Sequence, residues 1–312
     1  MSLIRRKSIE AVESRKPARS RHAHDEQQDD ATLVNSPSTS PDNPKPRISR
    51  KGYQARYAPV TFSEEFGVRY LHFGTVWVQG AMRIRKPFAL ELEYAQQMMI
   101  WLLWLNEPKH VAQLGLGAAA LTKFCWKHLP ECQVTAVELN PDVIAAAYSM
   151  FKLPYPGTVD DRLQVLQANA MDYVTDPALL GTLDALQVDL YDATARGPVL
   201  DSPEFYQGCR DLLKPGGIMT INLFGDHDSY PKNIRRIEKA FGKHNVVSLP
   251  EVHQGNVVVI AFHCYNNKLA PLPRSVEDFG LLYERAKAIQ LSTGLSTRSW
   301  VTALKQVLLA DA

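Results

Sequence analysis

The sequence predicts an α/β protein built on a doubly wound, mostly parallel sheet. Three observations carry that expectation. Short apolar stretches alternate with segments of helical composition from residue 111 to residue 241, the rhythm of parallel strands joined by crossover helices. The first stretch runs into Gly115-Leu116-Gly117, and glycines at a strand-to-helix turn let the backbone pass close to a ligand where a Cβ would collide. The next stretch ends in Glu138 and is followed by Asn140-Pro141-Asp142, a helix start with Asn as cap, Pro at the first position and an acid in the first turn.

Taken in order, residues 1–55 are rich in Arg, Ser, Asp, Pro and His and poor in aromatic and β-branched residues. Such a segment cannot bury enough apolar surface to offset its ordering entropy, so a disordered tail is expected. Its basic runs at 5–7 and 15–21 read as solvated charge. Residues 56–88 form a small N-terminal region, where alternating apolar and polar residues predict a β-hairpin turning near Gly74-Thr75. Residues 89–265 are the nucleoside-binding domain. It opens on a helix over 89–105, strongly apolar in its second half.

Within that domain the pattern gives a strand at 111–114, the glycine turn, a helix at 118–128 and a strand at 133–139. A helix then runs to about residue 151, followed by a strand at 163–167, Asn169-Ala170 and a short helix. A fourth strand at 185–188 leads into Asp189-Leu190-Tyr191-Asp192 and a loop, and a helix spans 203–213. Lys214-Pro215-Gly216-Gly217 is read as a tight turn into a strand at 218–223. A helix at 231–241 and late strands at 246–249 and 256–263 complete the sheet. Residues 266–312 form a C-terminal helical segment, helical from Ser275 with breaks at Gly280 and Gly294.

Composition bounds the function. Hydrophobic content of 45% and charged content of 22% are ordinary for a globular protein, and a net charge of +2 gives no reason to expect a nucleic-acid partner. Four cysteines show no CxxC spacing and no metal pattern with histidine, so reduced thiols, a cytoplasmic protein and no metal are expected. The N-terminus has basic residues with no apolar region behind them, unlike a signal peptide. The longest apolar run, at 98–105, is too short to span a bilayer, and no membrane contact is expected.

The polar positions that matter fall at the ends of strands, where open α/β sheets hold their ligands. Small residues at Gly115, Gly117 and Ala120 match the G-x-G-x-x-G/A pattern of nucleotide-binding units. Glu138, 21 residues after Gly117, is placed to accept hydrogen bonds from ribose hydroxyls. Asn169 follows the third strand, where it reads equally as a contact to an adenine edge and as a loop cap. Asp189 and Asp192, three apart in a loop at the same edge, suit a cationic substrate or proton abstraction from one.

These residues together resemble the spermidine/spermine synthase (polyamine aminopropyltransferase) family, on the S-adenosylmethionine methyltransferase fold. The family's D-x-x-D, then G-P and F-Y, is matched by Asp189, Asp192, Gly197, Pro198, Phe205 and Tyr206, and its V-E-[IL] strand end by Val137-Glu138-Leu139. Its D-A or D-G after the third strand appears as Asn169-Ala170. Its N-terminal Gln and its Y-[QH]-E-M helix opening resemble Gln79 and Ala95-Gln96-Gln97-Met98, with Tyr94 beside them.

The resemblance implies a cofactor site of Gln79, Gly115, Gly117, Glu138, Asn169 and Ala170. It also implies Asp189 as catalytic base and an amine site of Tyr94, Gln96 and Asp192. The co-substrate it implies is decarboxylated S-adenosylmethionine or S-adenosylmethionine, with a small amine such as putrescine as acceptor. A homodimer is left open as the assembly.

The departures lie in the glycine loop and after the fifth strand. The family's G-G-G-D-G-G appears as 115–120, with Ala118 where the family has the Asp that holds the ammonium of the aminopropyl arm. Asn222-Leu223-Phe224-Gly225 replaces the family's Q-x-E. The adenosine half of the site therefore looks intact and the amine half altered. A methyltransferase using intact S-adenosylmethionine and a non-catalytic nucleoside-binding homologue are the alternatives to aminopropyl transfer.

Overall fold

The computed structural model describes residues 57–157, 161–192, 198–264 and 269–310. The tail expected over 1–55, Gly197 and most of the loop behind Asp192 lie outside the described residues.

The first element is a three-stranded antiparallel sheet of β1 (Val60–Glu65), β2 (Val68–Phe73) and β3 (Gly80–Arg83). Its tight turn is at Phe66-Gly67, both at positive φ. The hairpin expected to turn near Gly74-Thr75 is here a longer connection from β2 to β3, carrying Gln79 at its end. Alternation marks the strands but not which of two glycine-bearing bends closes tightly.

The helix expected over 89–105 is a correction. Only α1 (Glu93–Gln97) is α-helical, and Ile100–Leu103 is a separate 3₁₀ turn. Every residue from Met98 to Leu103 is buried, so no polar face marks a helical period. Contacts from other elements set the backbone instead: the Thr220 hydroxyl donates to the Met98 carbonyl at 3.0 Å.

The main sheet follows with β4 (His110–Leu114), α2 (Ala120–His128), β5 (Gln133–Glu138), α3 (Pro141–Ser149), β6 (Leu163–Gln167), α4 (Ala170–Val174) and β7 (Leu183–Val188). It continues with α5 (Pro203–Leu212), β8 (Leu213–Phe224), α6 (Tyr230–Phe241), β9 (Val246–Ser248) and β10 (Asn256–Phe262), and α7 (Val276–Thr293) and α8 (Thr297–Ala310) close the chain. The seven strands lie in the order β6-β5-β4-β7-β8-β10-β9. Strands β6 to β8 are parallel, and β10 runs antiparallel to both β8 and β9.

Residues alternate cleanly across the sheet. Val111, Val134, Ile218, Val258 and Ile260 pack on one face with α2, α7 and α8. Ala112, Leu114, Met219, Ile221 and Val259 pack on the other with α4, α5 and α6. Both faces are thus covered by helices, as the parallel sheet requires.

Two further differences concern glycine. The Lys214–Gly217 turn is a bulge inside β8: Leu183 faces Leu213, and two residues on, Ala185 already faces Ile218. The break expected at Gly280 does not occur, because α7 runs through it. A helical glycine costs only ~1 kcal/mol against alanine, and the Ser275–Asp278 capping box starts this helix. The break at Gly294 is present, as a left-handed C-cap with φ of 77°.

Candidate active site

Chain order reverses at β4, with β5 and β6 laid on one side and β7 on the other. The crevice outside the carboxyl ends at such a reversal is where open α/β sheets bind ligands. A narrow cavity lies there, walled by Gln79, Tyr94, Gln113, Leu116, Ala118 and Asp189. The small antiparallel sheet, α1 and the glycine turn thus close over the end of the strand that carries Asp189.

The glycine turn is shaped by close backbone approach. Gly115 has φ of 87°, and its amide donates to the Val137 carbonyl at 2.9 Å. A Cβ on it would sit 2.1 Å from the carbonyl oxygen of Asp189. Gly117 (φ 50°) and Ala119 (φ 54°) carry the chain round into α2, which starts two residues later than expected. Ala118 is buried against Gly80, where an added Cβ would lie 2.7 Å from its methyl.

Glu138 ends β5 and braces this turn. Its carboxylate accepts from the Leu116 amide at 3.0 Å and from the Asn140 amide at 2.8 Å. Burial pushes its carboxyl above the ordinary value, and the amides of Asn140, Leu116, Leu139 and Gly117 partly offset that rise. Of these four amides only those of Leu116 and Asn140 bond with good geometry, one on each oxygen, which leaves acceptor sites for a pair of vicinal hydroxyls.

Asn169 caps α4: its side-chain oxygen accepts from the Met171 amide at 2.8 Å. Ala170 is the first helical residue behind it and is buried. Both stand at the carboxyl end of β6, two strands out from the cavity.

Asp189 follows β7, with its amide donating to the Leu114 carbonyl at 2.9 Å. One carboxylate oxygen accepts from the Tyr94 hydroxyl at 3.2 Å and the other from the Asn222 side-chain amide at 2.9 Å. Its carboxyl titrates above the ordinary value because burial outweighs these two bonds. Burial together with the charge on Asp189 pushes the Tyr94 phenol well above its usual range, so Tyr94 is a neutral donor at any physiological pH.

Among the other expected amine-site residues, Asp192 is exposed, and its carbonyl accepts from the Gln79 side chain at 3.0 Å. That bond ties the small sheet to the loop behind β7. The Gln96 side-chain amide donates to the Leu90 carbonyl at 3.0 Å, within its own segment, and Gln96 is not among the residues walling the cavity. Sequence reasoning missed two residues. Gln113, buried on β4, donates to the Gly115 carbonyl and accepts from the Thr122 hydroxyl, which fixes the turn from below. Asn222, in sequence only a departure from the family's motif, holds Asp189. Among the described residues no group of three or more His, Cys, Asp or Glu is placed to hold a metal ion. No helix of the described residues is long and apolar enough to cross a membrane.

The family model for the spermine/spermidine synthase domain matches residues 93–259, which contain every one of these residues except Gln79, Gly80 and Leu90. A polyamine aminopropyltransferase of Chromobacterium violaceum is 34% identical over 247 residues, 79% of this chain and 89% of the relative. A probable spermidine synthase from Corynebacterium glutamicum superposes with a TM-score of 0.60 at 15% identity, covering 78% of this chain and 93% of that one. Human methyltransferase-like protein 13, solved in complex with SAH, shares the fold with a TM-score of 0.54 at 20% identity, covering 65% of this chain and 93% of its own. With more than half of its length matched and the strand ends of the fold in register with the motifs, the chain belongs to the spermine/spermidine synthase family.

Proposed function

We propose that this protein transfers an aminopropyl group from decarboxylated S-adenosylmethionine to a small-molecule amine such as putrescine. The observation that carries the reading is Asp189: a carboxylate on the wall of the cavity, fixed on both oxygens by Tyr94 and Asn222, beside a glycine turn braced by Glu138. The relatives named polyamine aminopropyltransferase support it.

The reaction displaces a carbon from a sulfonium. The amine nitrogen forms the new C–N bond, the C–S bond breaks, and the sulfur leaves as a neutral thioether. The attacking amine must be neutral. With a pKa of ~10.4, deprotonating it at pH 7 costs ~4.6 kcal/mol. Asp189 takes that proton, and its raised pKa makes it a better base than an ordinary aspartate. Tyr94 orients the carboxylate, Glu138 accepts from the ribose hydroxyls, and Asp192 receives the distal ammonium.

Two expected results follow from this assignment. Glu138→Ala weakens binding of an adenosine-type thioether by about 1.5–3 kcal/mol, the worth of hydrogen bonds to a charged group. Calorimetry checks it, and equal affinity in the mutant and wild type removes the ribose role.

The second result concerns Ala118. Its methyl group lines the cavity, so position 118 adds no charge beside that of Asp189 to attract an ammonium or repel a carboxylate. That favours, as a second reading, use of intact S-adenosylmethionine for methyl transfer. A carboxylate at residue 118 facing a charge ~4 Å away at an effective dielectric of ~20 is worth up to ~4 kcal/mol before desolvation. Ala118→Asp is therefore expected to raise preference for the decarboxylated co-substrate at least about tenfold, or ~1.4 kcal/mol. The ratio of the two dissociation constants is the measurement, and an unchanged ratio means residue 118 does not face the arm.

The deciding experiment supplies purified protein with each sulfonium and a panel of diamines, and identifies the alkylated product by mass. An aminopropylated amine supports the proposal. A methylated product from the intact sulfonium, or no transfer from either, overturns it.

A further inference from the structure

Asp189 is the first member of a chain of side chains that crosses three adjacent strands. Asn222 stands on β8, one residue beyond the Val188–Ile221 pair, and so lies beside Asp189. Asn256 opens β10, two residues before the Val258 that faces Asn222. The Asn256 amide nitrogen donates to the Asn222 side-chain oxygen at 2.9 Å, and the Asn222 amide nitrogen donates to Asp189 at 2.9 Å. Asn222 and Asn256 are 3% and 5% exposed, so water does not compete for these bonds. The Tyr191 hydroxyl donates to the backbone carbonyl of Asn222 at 2.8 Å and pins the middle of the chain.

The direction of the chain is dictated by chemistry. An ionised carboxylate only accepts, so the group facing it at 2.9 Å must be the NH₂ of Asn222. The Asn222 oxygen then faces Asn256, which has to donate. An amide with no partner for its oxygen pays a penalty of about 1–3 kcal/mol in a buried site, which rotation of the side chain relieves.

We propose that Asn256 is a positioning residue for Asp189: by donating to Asn222 it locks that amide with its NH₂ toward the carboxylate. This rests on the reading of Asp189 as the base. Asn256 does not line the cavity and acts through Asn222. Among the described residues, the titratable groups that face Asp189 are Tyr94 from α1 and Tyr191 from the loop behind β7, both neutral phenols held up by burial. Neither stabilises the carboxylate by charge, which leaves the Asn222 bond as the larger of its two offsets to desolvation.

The test reads the Asp189 carboxyl directly, by carbon NMR of protein labelled at aspartate carboxyl carbons, with the Asp189 signal assigned by its loss in Asp189→Asn. Asn256→Leu removes the donor without adding charge and is expected to raise the Asp189 midpoint by about one unit, a tenfold change. In an Asn222→Ala background the same substitution is expected to shift nothing further, because the link it acts through is gone. Asn256→Val, smaller and suited to a strand, is the second variant should the leucine protein not fold. It also removes the donor without adding charge, and it raises the midpoint as far.

An unchanged midpoint in the folded variants overturns the proposal, and so does an equal shift with and without Asn222. The titration needs no turnover. A wild type without aminopropyl transfer but with these shifts therefore overturns the functional reading and leaves the relay standing.

Discussion

Asp189→Asn is expected to lower the rate of aminopropyl transfer by about 10²–10⁴-fold, the usual worth of a positioned acid–base group. It is also expected to leave the protein at least as stable as wild type at pH 7. The substitution keeps the shape of the site. An asparagine oxygen still accepts from Asn222, and its NH₂ meets the Tyr94 hydroxyl, which accepts equally well. What disappears is the ability to take a proton from the amine.

The stability half follows from the sign of the pKa shift. Burial raises the folded-state value of Asp189 above the ordinary one. The contribution to stability is therefore fully present below the unfolded value, ~3.9, and lost as pH rises through the raised folded value. At neutral pH the ionised carboxylate is a liability that asparagine removes, a trade of stability for activity seen at many active sites. In wild type the rate should fall as pH drops through the same raised value, and the acid limb should vanish from the residual activity of Asp189→Asn. Steady-state rates from pH 5 to 9 and thermal melts at pH 7 check both halves. Activity within tenfold of wild type removes Asp189 as the base, and a fall of several degrees in Tm contradicts the burial argument.

The parts of the molecule legible in the sequence are those whose signals are local. Gly115 and Gly117 announce their turn because only a few neighbouring residues decide it, and Asn140 does cap α3, accepting from the Asp142 amide at 2.9 Å. Asp189 is legible because it follows an apolar strand and stands three residues from a second carboxylate, Asp192. The misses are tertiary in origin. Residues 98–103 are buried on all sides, and their backbone is set by Thr220, 122 positions away from Met98 in sequence. Asn222 reaches Asp189 across 33 residues, and Asn256 reaches Asn222 across 34. No spacing rule links such positions, and only the register of β7, β8 and β10 brings them together. Gln96 is the opposite case. Its local bond to Leu90 is short in sequence but invisible to a pattern that assumed one long helix.

Gly115→Ala is expected to be the most destabilising single-methyl change at the site. The new Cβ would lie 2.1 Å from the Asp189 carbonyl oxygen and 3.0 Å from its carbon, both backbone atoms with no rotamer to escape into. Relief requires the ends of β4 and β7 to part, where the Asp189 amide donates to Leu114. A φ of 87° adds about 1–2 kcal/mol for a residue bearing a Cβ. Together these place the loss at or above ~4 kcal/mol, in the exceptional range for a point mutation.

Gly294→Ala separates the two causes. Gly294 has φ of 77° but nothing within 4 Å of the position its Cβ would take. That variant should lose only about 1–2 kcal/mol, the conformational share alone. Denaturant melts of the pair give the difference, and the excess in Gly115→Ala measures the backbone contact between the glycine turn and Asp189. Because the clash falls on the residue that carries the base, any Gly115→Ala protein that stays folded should also lose kcat through a displaced carboxylate. Equal losses of stability in the two variants would show that the turn yields without moving Asp189, and that the close approach of β4 and β7 does not hold the base in place.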